Sequence, residues 1–155
     1  PDLVISIERP GLNAEGNYCN MRGEDISANC ASFDHFLNLS SCPTIGIGDG
    51  GNEIGMGNVV DTLANLNVTP SITCCDELVI ADISNWAAHG LIAMLSYARG
   101  EDMLASWNNI DMLRYLSSHG SVDGVSRENT LTEDGLGSEL TEQLILRLRK
   151  ISGFY

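Results

Sequence analysis

Three short runs of β-branched and aliphatic residues punctuate this chain of 155 residues: Leu3–Ile7, Thr44–Ile47 and Leu78–Ile83. Each is almost continuously apolar rather than alternating, the pattern of a strand covered on both faces. The second and third lead into stretches with helical spacing, so strands and helices alternate. That combination predicts an α/β fold, layered, with a mostly parallel sheet flanked by helices on both faces. The length suits one α/β domain over 1–155. Helices are expected over 30–39, around Phe33, Phe36 and Leu37, and over 53–66, around Met56, Val59, Val60, Leu63 and Leu66. A third is expected over 85–99 and reads as a buried helix, apolar almost all round. A fourth covers 110–118. The last runs from a Ser138 cap along Leu140, Leu144, Ile145, Leu148 and Ile151, with Glu139 and Glu142 early and Arg147, Arg149 and Lys150 late.

The second strand hands over to the most informative segment, in which six glycines fall between Gly46 and Gly57. Glycine admits positive φ and lets a ligand approach the backbone. Asp49, Asn52 and Glu53 add two carboxylates and an amide to the same few residues. A tight strand–helix turn is the plainer reading of such glycines, but the clustered polar groups favour a site. No Gly-Lys-Ser/Thr follows, so the segment is not a P-loop. In an open parallel, Rossmann-like sheet, ligands bind outside the carboxyl ends of the strands. Glu8-Arg9, Asp49 and Ser84-Asn85 each fall at such an end, and Asn17 and Arg22 follow the first strand closely. The competing readings are a surface ion pair for Glu8-Arg9 and a helix cap for Ser84-Asn85. His89 reads as a satisfied core histidine, and Asp123-Gly124 and Asp134-Gly135 as turns first.

Composition narrows the partners. With 8 Lys+Arg against 21 Asp+Glu, the formal charge is −13, and scattered cations make no stripe for a nucleic acid or an anionic membrane. No apolar run approaches the roughly 18 residues that cross a bilayer. Cys19, Cys30, Cys42, Cys74 and Cys75 form an odd set without a C-x-x-C pair, so reduced thiols and an intracellular location are expected. The chain starts Pro1-Asp2 without a Met, and is expected to be a fragment of something longer.

Gly48-Asp49-Gly50-Gly51-Asn52-Glu53 resembles the metal-binding loop of haloacid-dehalogenase-type phosphatases, but no D-x-D nucleophile occurs here. That reading needs a nucleophile upstream; a non-catalytic small-ligand module is the other alternative. A wider resemblance covers nearly the whole chain. Ile5–Gly11 with Gly16-Asn17-Tyr18, Gly46–Gly57, Ser84-Asn85-Trp86 and Val122–Val125 resemble, in order, the conserved C-terminal domain of D-glutamate cyclases. Cys19, where a Tyr is familiar, and Ala87-Ala88-His89, in place of a glycine-rich stretch, depart from the pattern. The resemblance implies a hydro-lyase that interconverts D-glutamate and 5-oxo-D-proline plus water. It makes this chain the C-terminal part of a larger domain, in the cytoplasm or, in a eukaryote, the mitochondrial matrix. The expected catalytic residues are Asp49 or Glu53 as base and proton shuttle, with Asn52 and the N–H groups of Gly50 and Gly51 on the oxyanion. Arg9 or Arg22 would take the α-carboxylate, and Glu8, Asn17, Ser84, Asn85 and Asp123 would complete the substrate site. Asp49 and Glu53 would hold any divalent cation, Mg or Mn. A small-molecule substrate and a homo-oligomer are the expected partners.

Overall fold

The computed structural model describes residues 1–155 as two compact units, Pro1–Ala87 and Ala88–Tyr155. The first holds a three-stranded sheet in the order β1 (Val4–Ile7), β2 (Thr44–Gly48), β3 (Glu77–Ile80), parallel throughout. Val4 aligns with Thr44 and Ile45 with Glu77, so all three chains leave the sheet at the same end. The three apolar runs therefore contain strands, and the class is α/β with a parallel sheet and helices. However, β3 stops at Ile80 and only the central β2 is buried along its length, since Ile5, Ile7 and Ile80 on the outer strands are 41%, 47% and 53% exposed.

Beyond the sheet, several elements are shorter than the periodicity suggests. Helix α1 covers only Asp34–Asn38, because Ser27–Asn29 forms a separate 3-10 turn. The helix expected over 53–66 shrinks to a 3-10 turn at Met56–Val59 and α2 at Val60–Leu63. The cause is local. The Gly55 and Gly57 N–H groups both donate to Thr73 O, and Gly55 sits at φ 104°, which takes the first turn out of any helical ladder.

Helix α3 begins at Ser84 and runs to Arg99 across the boundary of the units. It is not buried all round: Met94 and Tyr97 are 69% and 75% exposed. In the second unit, α4 (Asn109–Ser118) and α5 (Ser138–Ile151) follow, with a hairpin of β4 (Thr132–Glu133) and β5 (Leu136–Gly137) turning at Asp134-Gly135. Ser138 does not cap α5; it is the first helical residue, and Gly137 occupies the cap without a side-chain bond. Ala93, Leu104 and Ile145 form a small core beside Ile92 and Leu148, braced by the Arg149–Asp102 ion pair at 2.8 Å. None of the five cysteines is in a disulfide. No helix is long and apolar enough to cross a membrane.

His89 is buried as expected but not satisfied. It is 4% exposed, neither ring nitrogen has a partner, and its ring meets Trp107 edge-on at 4.6 Å. Burial pushes its pKa below the ordinary 6.5, against a smaller upward pull from Glu133. The unfolded chain therefore takes up a proton before the folded one does. Stability is full above about pH 6.5 and falls as the pH drops from there toward the lowered folded value. Urea unfolding followed by tryptophan fluorescence should show that loss between pH 7.5 and 5.5, and His89→Leu should flatten it.

Candidate functional site

The segments that leave β1 and β2 are stitched together just beyond the sheet. Gly11 N–H donates to Asn52 O at 2.9 Å, Ile54 N–H donates to Arg9 O at 2.8 Å, and Pro10 bridges to Glu53. Three carboxylates converge on this junction. Glu8, Asp49 and Glu53 each place an oxygen within 4.8 Å of the other two. Glu8 is exposed, Asp49 half-buried and Glu53 only 2% exposed. Glu8 stands at φ 52°, the left-handed region that a non-glycine residue rarely adopts.

Glu53 organises the glycine-rich loop. Its Oε1 accepts from Gly50 N–H and its Oε2 from Gly51 N–H, both at 2.7 Å. The expected oxyanion donors are thus directed at a carboxylate of the protein itself. Asn52 is likewise engaged, its Nδ2 donating to Cys19 O at 3.0 Å. The reason is geometric: Gly51 at φ 98° turns the loop amides back onto the side chain that follows. Gly48 makes room for this, since a Cβ there would lie 2.9 Å from Glu53 Cβ and 2.8 Å from Met56 Cε. Gly48→Ala should therefore displace Glu53 and cost about 1–3 kcal/mol, read as a lower urea midpoint.

Asp49 caps α3, its Oδ2 accepting from Ser84 N–H at 2.9 Å. A carboxylate at a helix N-terminus is stabilised by the peptide dipoles. Ser84 itself is 1% exposed and its hydroxyl has no partner, while Asn85 is exposed. The ends of β1 and β2 and the start of α3 are therefore brought together as the strand-end argument requires.

The other expected residues lie apart from this cluster or are engaged elsewhere. Arg9 Nη2 donates to Ala31 O at 3.3 Å and its guanidinium lies 4.5 Å over the Phe33 ring. Asn17 closes a tight turn, its N–H donating to Asn13 Oδ1. Arg22 sits exposed on the neighbouring loop, where its N–H donates to Asn20 Oδ1. Asp123 belongs to the second unit and clamps its loop, accepting from Val125 and Ser126 N–H, Thr132 Oγ1 and Gly135 N–H. Burial alone would raise its pKa, but those donors outweigh it and hold the carboxyl far below its usual range. In the structure Asp123 anchors its own loop.

The residue that sequence reasoning missed is Asp34, which is fully buried. Its Oδ1 accepts from Leu12 N–H at 2.9 Å and Thr73 Oγ1 at 2.5 Å, and its Oδ2 from Tyr18 OH at 2.6 Å. It ties together the three segments that flank the carboxylate cluster. No local pattern signals this, because its partners lie 16 to 39 residues away.

The chain that carries this sheet and carboxylate cluster belongs to the family described as D-glutamate cyclase-like, C-terminal, whose match covers residues 1–149. Among curated proteins it is similar to the human protein D-glutamate cyclase, mitochondrial, with 37% identity over 102 residues. That alignment covers 61% of this chain but 17% of the human protein, so the chain spans less than a fifth of its relative's length.

Proposed function

We propose that this chain carries the cyclase chemistry of its family, interconverting D-glutamate and 5-oxo-D-proline plus water as a hydro-lyase. The observation that carries the reading is the meeting of Glu8, Asp49 and Glu53 within 4.8 Å at the strand ends. Two unit charges at that distance repel by about 3 kcal/mol at an effective dielectric of 20. A cation relieves that repulsion, and the α-ammonium of the substrate is one. Family membership supplies the substrate class.

Cyclisation forms a bond from the amine nitrogen to the γ-carboxyl carbon and breaks one C–O bond. Two protons pass from the ammonium to the departing oxygen, which leaves as water. In this reading Asp49 accepts the first, supported by the Ser84 N–H bond that orients one oxygen and by its half-buried side chain. Glu53 holds the loop, and Glu8 lies beside it where the ammonium would enter. The buried Ser84 hydroxyl has no partner, which leaves it as a donor toward the reacting carboxyl. The three carboxylates also suit a hard divalent cation, Mg or Mn, which when bound would polarise the γ-carboxyl. The 155 residues would act as a single Rossmann-like layered domain within a longer chain, in the mitochondrial matrix of a eukaryote or in the cytoplasm.

Thermal-shift measurements test the reading, each ligand with and without Mg or Mn. A ligand at a hundred times its Kd stabilises by about 2.7 kcal/mol. D-glutamate or 5-oxo-D-proline should raise Tm and L-glutamate should not. Stabilisation by phosphate plus metal alone would point to the phosphatase chemistry instead.

A further inference from the structure

Two backbone straps hold the glycine-rich loop that carries Asp49 and Glu53. In the strap that follows β1, Gly11 N–H donates to Asn52 O, and Arg9 O accepts from Ile54 N–H. In the strap that precedes β3, Ser71 N–H donates to Gly51 O, and Thr73 O accepts from Gly55 and Gly57 N–H. Ile72 N–H donates to Leu12 O at 2.8 Å and joins one strap to the other. The packing leaves no slack: a Cβ on Gly11 would collide with the Ser71 side chain, and one on Gly57 with the Ile72 carbonyl. Asp34 fastens both straps. Its Oδ1 accepts from Leu12 N–H in the first and from Thr73 Oγ1 in the second, while Tyr18 OH donates to its Oδ2. Asp34, Thr73 and Tyr18 are all buried, so water competes little for these bonds. Glu8 is held differently, by the sheet, its N–H donating to Ile47 O at 3.0 Å.

We propose that Asp34 is a positioning residue for the cyclisation, acting through Leu12 and Thr73 to set the loop that presents Asp49. This role rests on the cyclase reading of the carboxylate cluster. Loss of an Asp34 bond shifts Asp49 and Glu53 against a Glu8 that stays with β1. Proton transfer needs hydrogen-bond distance between base and ammonium, and a misplacement of about 1 Å can cost about 10²-fold in rate. The Coulombic attraction of the ammonium falls only as the inverse of distance, so binding suffers far less. A loosened strap therefore lowers kcat and leaves KM nearly alone. Asp34 serves here as an acceptor rather than as a charge. In Asp34→Asn the amide oxygen can still accept from Leu12 N–H and Thr73 Oγ1, and the NH2 can donate to the Tyr18 oxygen.

Thr73→Val removes one donor at nearly constant shape, and Tyr18→Phe removes another. Assayed well below its own Tm, each should show kcat lowered about tenfold with KM within about twofold of wild type. Asp34→Asn should keep most of the wild-type kcat. Amide hydrogen exchange gives a readout independent of turnover: Gly55 and Gly57 should exchange at least about tenfold faster in Thr73→Val, with Ile45 and Ile47 of β2 unchanged. Wild-type kcat in both donor variants, a fall in kcat matched by a rise in KM, a loss that Asp34→Asn shares, or glycine exchange no faster than in the wild type would overturn the proposal. A wild type that turns over neither D-glutamate nor 5-oxo-D-proline would instead overturn the cyclase reading, and the positioning role with it, even where the exchange rates behave as expected.

Discussion

Asp49→Asn is expected to lower interconversion of D-glutamate and 5-oxo-D-proline by about 10²- to 10⁴-fold while leaving the melting temperature almost unchanged. The amide oxygen of Asn can still accept from Ser84 N–H, which Asp49 now takes at 2.9 Å, so the cap on α3 survives. What disappears is a carboxylate able to take a proton from the substrate ammonium. Glu53→Gln should behave differently. Glu53 accepts separate loop N–H groups on its two oxygens, and an amide would set its NH2 against one of them. That variant should lose stability as well as turnover. Turnover assays run beside unfolding curves distinguish the two, and wild-type turnover in a well-folded Asp49→Asn protein would assign the base elsewhere.

The second large effect is structural. Asp34→Ala should destabilise the first unit by about 3 kcal/mol or more, because Tyr18 OH, Thr73 Oγ1 and Leu12 N–H all lose a buried acceptor. Burial by itself would raise the Asp34 pKa, but the Thr73, Tyr18 and Leu12 donors outweigh it and bring it below the ordinary 3.8. A lowered folded pKa means that the contribution is complete above that ordinary value and is lost as pH falls through the folded one. Urea midpoints at pH 7 and pH 3 should therefore differ for the wild type by more than for Asp34→Asn. Equal differences would remove Asp34 from its place as the tie between these segments.

The sheet was legible because apolar runs such as Thr44–Ile47 carry their burial in consecutive residues. The meeting of Glu8 and Asp49 followed from the same reasoning, since a parallel sheet delivers every strand end to one edge. Roles within the site were harder to read. Glu53 and the Gly50 and Gly51 amides looked like separate catalytic groups, yet they bind one another, and only the φ of Gly51 shows why. The helix expected over 53–66 failed for a related reason: spacing records which residues are apolar, not that Thr73 O has captured the amides of Gly55 and Gly57. Asp34 was invisible inside an expected helix because its partners are brought in by the fold. Arg9 shows another limit: its place beside Glu8 is plain in the sequence, its stacking on Phe33 is not.

The central claim is that the carboxylates at the ends of β1 and β2 receive D-glutamate. Calorimetric titration of the wild type and of Asp49→Asn with D-glutamate, L-glutamate and 5-oxo-D-proline tests it most directly. The account predicts saturable binding of D-glutamate and its lactam to the wild type, little or none of L-glutamate, and a loss of D-glutamate affinity of at least about tenfold in Asp49→Asn, near 1.4 kcal/mol. Equal affinity for the two enantiomers, or D-glutamate binding that Asp49→Asn leaves untouched, would contradict it.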